Sequence, residues 1–456
     1  MKPLTAEEKY HQMIDTPVEP LILRLSVPTI ISMLITTIYN LADTYFVGLL
    51  NDTSASGAVG VAFSLMSVIQ AIGFYFGQGA GNNVSRELGN QNQKRAEELV
   101  ATGFFSALLM GLAITGLGLA FLNPLTMMLG STDTIFPYAR DYIQVILIGA
   151  PWMAASLVLN NLLRFQGNAF NGMIGLTIGG LLNIALDPIL IFSCGMGIAG
   201  AAWATIISQL VSFLILLYQV QRAGIVKIHI RDFKPKKSIL LAINNGGLPS
   251  LLRQGITSIA TICVNLAAKP YKDAAIAAMT IVSRITFFTN AVIIGFGQGF
   301  QPVCGYNYGA KRYDRVMKGF WFCVKCAAVF LACLAAAEFF MADSLVALLR
   351  KGDPDVIAIG SRALQLQCLS VVACAWIIPS NMMMQTTGKM VRASFLGTAR
   401  QGLFLIPLVL VLPQIFGLWG LQLAQPIADI LTFIVAIPMQ LQLLKEMKQE
   451  AAQLES

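Results

Sequence analysis

"GQGAGNNVSRELGNQNQKRA" (residues 77–96) and "GQGFQPVCGYNYGAKRYDRV" (297–316) are two versions of one segment, 220 residues apart. Each opens on Gly-Gln-Gly, and at the same offset Gly89 meets Gly309 and Arg95 meets Arg315. Much later in each half "GIAG" (197–200) meets "GLWG" (417–420), again 220 apart. "VPTII" at Val27 meets "LPSLL" at Leu248, one residue out of step. Agreement at several separated points with one offset marks an internal duplication.

Composition says what kind of unit was duplicated. Of the 456 residues 56% are apolar and 12% charged, about half the charge that covers a soluble globule. Most of the surface must therefore face something other than water. Apolar runs recur, each close to the ~20 residues a helix needs to cross a bilayer. Twelve spans are expected, near 24–50, 56–80, 97–122, 136–158, 169–193, 198–222, 239–268, 274–302, 316–341, 357–384, 394–416 and 419–443. The fold class is an all-α polytopic membrane protein of two pseudo-symmetric six-helix bundles.

An even number of spans puts both termini on one side, and basic residues choose the side. Lysine and arginine gather in the segments on the side of the termini, from Lys2 and Lys9 through the linker to Arg400, Lys445 and Lys448. The opposite loops carry only Arg140, Lys269, Lys272, Arg350, Lys351 and Arg362. Both termini are expected in the cytoplasm, with the chain in the cell membrane. Orientation then explains the net charge of +8, and no nucleic-acid partner is needed. The expected segments are a cytoplasmic stretch 1–23, a first lobe 24–222, a basic linker 223–238 read as a solvated loop on anionic headgroups, a second lobe 239–443 and a tail 444–456. Residues 1–19 are polar and mixed in charge, with no apolar core of a cleavable signal. All eight cysteines sit in or beside apolar runs, so no disulfide framework is expected. Cys323 and Cys326 form a CxxC inside such a run and read as coincidence.

Six spans per half give both copies the same topology, related by an axis along the membrane normal. Parallel repeats of that kind suit a transporter with its path between the halves. The stretches "PTIISMLITTIYNLADTYFVG" (28–48), the twin GQG segments and "NIALDP" (183–188) resemble the multidrug and toxic compound extrusion (MATE) family, in its MepA-like and DinF-like branch. The resemblance covers about residues 20–440. It implies a V-shaped pair of lobes that exports cationic, amphiphilic compounds against an inward flow of protons or sodium ions.

Setting aside Glu97, Glu98 and Asp141 in the opening turns of their spans, the acids within spans are Asp43, Asp187, Glu338 and Asp429. An aspartate at a helix centre costs ~2.5–3.5 kcal/mol on insertion scales, so each needs a reason. Asp43 lies seven residues below the outer end of span one, and Asp187 six below that of span five. Both should sit about 10 Å inside the membrane. Asn183 is one turn from Asp187 on the same face, Asn40 stands beside Asp43, and Thr205 lies at the same level of span six. Carboxylates, amides and a hydroxyl at one height suit a hard cation such as sodium. Paired, desolvated carboxylates equally suit a proton. The MATE resemblance implies that Asp43, Asn183, Asp187 and Thr205 form the cation site. The plainer alternative is that Asp187 satisfies a carbonyl freed by Pro188. No arginine or lysine lies at that depth in spans one to six, which weakens an ion-pair explanation.

The second half lacks the pair: at the 220-residue offset Asp43 meets Cys263 and Asp187 meets Pro407. There Asp429 is expected in a structural ion pair with Arg253 or Arg284 at least as readily as in a transport role, and Glu338 near the membrane surface. Gln70, Phe287, Phe288, Asn290 and Met384 are candidates for a substrate cavity. Both histidines lie in cytoplasmic segments, and no P-loop, nucleophile elbow or metal-spaced Cys/His cluster occurs. No enzyme and no cofactor is expected, only a coupling proton or sodium ion. The partners expected are small cationic drugs and the lipid bilayer, with the chain a monomer. A flippase for a lipid-linked sugar is the alternative that Arg253, Arg284 and Lys325 keep open. A receptor or scaffold without transport is the alternative from another class.

Overall fold

The computed structural model describes residues 4–50, 52–349 and 353–455. Lys2, Arg350 and Lys351, used above to orient the chain, lie outside the described residues, as do the first and last positions of the expected terminal segments.

A short helix α1 (Ala6–Asp15) precedes the spans. Thr5 and Glu8 start it with a reciprocal cap, the Thr5 hydroxyl accepting from the Glu8 amide and the Glu8 carboxylate from the Thr5 amide. The first bundle is α2 (Val18–Gly48), α3 (Thr53–Gly89), α4 (Gln93–Ala120), the short α5 (Leu122–Met128), α6 (Phe136–Phe165), α7 (Ala169–Pro188) and α8 (Ile198–Ala223). The second is α9 (Lys237–Ala268), α10 (Lys272–Gly309), α11 (Tyr313–Phe340), the short α12 (Ala342–Leu349), α13 (Pro354–Val371), α14 (Cys374–Thr386), α15 (Met390–Thr398), α16 (Ile406–Phe416) and α17 (Leu418–Glu455). Among the described residues eleven helices are long and apolar enough to cross a membrane, and twelve spans result if α13 and α14 form one, bent by 57°. The expected span 357–384 thus carries a bend. Pro379 has no N–H to give the carbonyl of Ala375, four residues back, which weakens the first turn after the break.

The duplication is visible in the backbone. Gln91 and Lys311, which follow the twin helices, are the non-glycine residues with positive φ among the described residues, at 57° and 58°. Gly197 and Gly417 share φ near 55° and 59° with ψ near −136° and −140°, a conformation only glycine adopts readily. α5 and α12 begin at equivalent positions. A π-helical turn interrupts the fifth span of each half, at Ile189–Ser193 and Ala399–Leu405.

The twin GQG segments prove to be the helical ends of α3 and α10, carrying these spans to Gly89 and Gly309. Hydropathy ended them earlier because polar residues here face protein rather than lipid. They form the seam between the bundles. A methyl at Gly89 would overlap the Tyr306 carbonyl, and one at Gly309 the Arg86 carbonyl. Ser26 donates to the Phe296 carbonyl at 3.0 Å and Thr29 to the Gly295 carbonyl at 2.6 Å. Asn83 donates to the Ala242 carbonyl at 2.7 Å, and Thr386 to Asn82 at 2.8 Å. Among the described residues, every hydrogen bond between the bundles lies in the half of the molecule nearest the termini. On that side the bundles are joined by hydrogen bonds; nearer the other, Leu41 of α2 shares a cavity with Arg284, Phe288 and Leu334 of the second bundle.

The basic linker is docked, contrary to the expectation of a solvated loop. Val226 and Ile228 are buried, and the Val226 amide donates to Gln166 at 2.9 Å. Lys234 donates to Glu98 on α4 at 2.9 Å, and that carboxylate holds the lysine above its ordinary value. Two apolar anchors and an ion pair outweigh the loop's freedom. All eight cysteines are free thiols.

Candidate functional site

Four spans of the first bundle meet around the two expected aspartates. Asp187 is fully buried on α7, and its Oδ1 accepts from Asn183 at 3.4 Å, one turn back on the same face. Asp43 on α2 lies within Coulombic range of Asp187. Thr205 on α8 is buried beside the hydroxyl of Tyr142, and Tyr142 on α6 is itself within Coulombic range of both carboxylates. Asn40 uses its backbone, whose carbonyl accepts from Thr44 at 3.0 Å; among the described residues no hydrogen bond joins its side chain to the carboxylates.

The hydrogen-bond account of this patch does not close. Asp43 Oδ1, Asp187 Oδ2, Asn183 Oδ1 and the Tyr142 hydroxyl are all buried without a partner. Each unsatisfied group costs about 1–3 kcal/mol, and here four share one place. Three are acceptors and the fourth can accept, so the deficit is one of donors or of positive charge. A proton on a carboxylate or a small hard cation supplies it, and the all-oxygen donor set fits either. The plainer explanation of Asp187 fails, because neither of its oxygens bonds a backbone carbonyl freed by Pro188. Pro188 leads instead into the π-turn Ile189–Ser193, a local distortion frequent at functional positions.

Tyr142 is the residue that the sequence reading missed. It lies six residues into α6 from the end opposite the termini, the height argued for Asp43 and Asp187, so the same depth count reaches it.

Gln70 lines a cavity of about 70 Å³ with Tyr39, Phe74, Asn160 and Gln209 of the first bundle and Gln298 of the second. Beneath it Arg164, fully buried, donates to the Gln298 carbonyl at 3.2 Å and to Gln301 at 3.0 Å, tying α6 to α10. Arg253 lies within Coulombic range of Arg164, and neither has a carboxylate partner among the described residues.

The remaining candidates are scattered. Phe287 and Asn290 line a cavity of about 190 Å³ inside the second bundle with Gln367 and Arg400. Phe288, one residue on, points into another of about 380 Å³ with Leu41, Arg284 and Glu338. Glu338 is half-buried and accepts from Thr289 at 2.6 Å. Met384 is fully buried in the packed core and reaches none of these cavities. The partner of Asp429 is neither Arg253 nor Arg284 but Arg400, 2.7 Å away, with Gln425, Gln367 and Ser370 completing its shell. Arg400, counted above with the cytoplasmic loops, is drawn inside by the π-turn Ala399–Leu405.

A MatE family model matches residues 28–189 and 249–411. The chain is 26% identical to the "Multidrug export protein MepA" of Staphylococcus aureus strain MSSA476 over 94% of this chain and 95% of that protein. The relative of the same name in Staphylococcus haemolyticus matches at the same identity and coverage. Among solved structures, a MOP superfamily transporter from Pyrococcus furiosus, described as having a binding pocket of reverse polarity, superposes with a TM-score of 0.90 at 27% identity, over 96% of this chain and 98% of that one. The outward-facing conformation of a multidrug resistance MATE family transporter superposes at 0.91 and 27%, over the same shares.

Proposed function

The chain belongs to the MatE family of multi-pass membrane transporters, and on that premise we propose that it is a multidrug efflux antiporter. It exports cationic amphiphilic compounds by alternating access, with both termini in the cytoplasm. The coupling ion, a proton or a sodium ion, occupies the patch of Asp43, Asn183, Asp187, Thr205 and Tyr142. The observation that carries this reading is the set of four orphaned buried oxygens around two carboxylates.

The mechanism follows from the two ends of the molecule. The seam at the terminus-bearing side is closed by backbone contact between α3 and α10, while the upper part of α2 is free of interbundle hydrogen bonds. Asp43 is half-buried, and in this reading the coupling ion reaches it from the side opposite the termini. An ion arriving there neutralises the patch, removes the cost of two desolvated carboxylates and lets α2 pack differently. A cationic drug in the cleft competes for the same charge, so ion entry favours drug release. This is antiport by mutual exclusion.

Arg164 and Arg253 favour a second reading. Two adjacent cations without carboxylate partners suit an anionic amphiphile, such as a lipid-linked sugar, and the relative with a reverse-polarity pocket makes the reading concrete. Purified protein in vesicles loaded with ethidium, with proton and sodium gradients imposed separately, decides. The antiporter reading expects ethidium movement driven by one of the gradients. Movement driven by neither contradicts it, and transport of an anionic amphiphile alone would establish the second reading.

A further inference from the structure

Three cations that form no ion pair among the described residues lie away from the carboxylates, around a cavity of about 690 Å³ at the terminus-bearing face. Its walls come from α1, α2, the α6–α7 connection and the end of α8. Lys9, Arg24 and Arg222 line it, and among the described residues no acidic side chain does. Lys9 is buried, donating to the Gly167 carbonyl at 2.8 Å and to Gln12 at 2.9 Å. Burial, with Arg24 beside it, pulls its ammonium down to about 8. Arg222 donates to the Tyr218 hydroxyl at 2.6 Å. Neither Arg24 nor Arg222 is in an ion pair among the described residues.

Three cations from three helices, converging without a counter-charge, select an anion. The surroundings select its source. The cavity lies where the spans end, at headgroup level, and its rim carries apolar side chains turned outward. Leu4 is 46% and Phe170 60% exposed, and Leu23 and Val27, which flank Arg24 on α2, are exposed too. A headgroup between the cations would leave its acyl chains along that apolar wall. A free phosphate would use the charges but nothing of the wall. We propose that this cavity binds the phosphate headgroup of an anionic phospholipid through Lys9, Arg24 and Arg222. On the orientation proposed above, it faces the leaflet that carries anionic lipid.

The position gives the site a consequence. α1 is hydrogen-bonded to both bundles: Lys9 reaches Gly167 in the first, and Asn307 of α10 donates to the Met13 carbonyl at 3.2 Å. The helix is a strap across the closed seam. A headgroup shared by Lys9, Arg24 and Arg222 fastens its first end.

The test uses the full-length protein in phosphatidylcholine nanodiscs, with phosphatidylglycerol as the probe and bound lipid counted by native mass spectrometry. Arg24→Gln/Arg222→Gln removes two exposed cations, and Lys445→Gln/Lys448→Gln removes two from the tail outside the cavity. The first pair should weaken phosphatidylglycerol binding roughly thirtyfold, and the second should leave it unchanged. Equal binding by the cavity variant and the wild type, or equal loss in the tail variant, overturns the site. Inorganic phosphate that displaces the lipid at millimolar concentration overturns the lipid assignment in favour of a free anion.

Discussion

Asp43 and Asp187 stand on different helices of one bundle within Coulombic range of each other, and each keeps one buried oxygen without a partner. Two carboxylates are costly to hold so unless something positive joins them. Asn183 leans on Asp187 through its amide nitrogen, which leaves its own oxygen as a further acceptor. The patch therefore holds more acceptors than donors.

Tyr142→Phe removes the orphaned hydroxyl and leaves the ring in place. The group beside that hydroxyl, Thr205, stays in place, so the fold should be kept. The ion concentration for half-maximal ethidium efflux should rise roughly tenfold, the value of one hydrogen bond to a charged group. Measuring efflux rate against ion concentration in proteoliposomes checks this, and an unchanged midpoint would remove Tyr142 from the site.

Gly89→Ala places a methyl against the backbone oxygen of Tyr306, which has nowhere to move. The seam should open at a cost of about 1–3 kcal/mol. Cys304, fully buried on α10, is a native reporter. A maleimide should leave it untouched in the wild type and label it in the variant, read by peptide mass spectrometry.

Arg400 and Asp429 test the opposite role. Asp429→Asn leaves a buried guanidinium without its partner and should lower stability by about 3–5 kcal/mol. Arg400→Met/Asp429→Leu removes both charges and should recover most of that loss. Efflux per folded molecule in the double variant should match the wild type, whereas a transport role for Asp429 would abolish it.

The depth count from the sequence reached Asp43, Asn183, Asp187 and Thr205 because a helix converts residue number into height. It would have reached Tyr142 had hydroxyls been counted with the acids. Hydropathy found the spans but not their ends. The Gly77–Gly89 and Gly297–Gly309 stretches are polar against protein, and a scale that measures lipid contact stops before them. Arg400 was misplaced for the same reason, since a charge paired inside a bundle looks like a loop charge in one dimension. The bend between α13 and α14 and the docked linker depend on contacts between distant segments, which no local pattern carries.

Lys9 makes stability depend on pH. Its ordinary value is 10.5, and in the folded protein it lies at about 8. Below about 8 both folded and unfolded chains hold the proton, and the cost of burying the charge is present in full. Between there and 10.5 the folded chain has released a proton that the unfolded chain keeps, so stability rises with pH, by up to about 3 kcal/mol. In zwitterionic detergent, melting curves of the wild type should gain over those of Lys9→Met from pH 7 to 10. A constant difference between the two would contradict the burial of a charged lysine.

The central claim is that the Asp43–Asp187 patch carries the coupling ion. The most direct measurement is ethidium efflux driven by an imposed ion gradient, in proteoliposomes holding equal amounts of wild type and Asp187→Asn. The amide keeps the shape and removes the charge, so the variant should fold and bind ethidium while gradient-driven efflux disappears. Efflux by Asp187→Asn at the wild-type rate, still driven by the same gradient, would contradict the account.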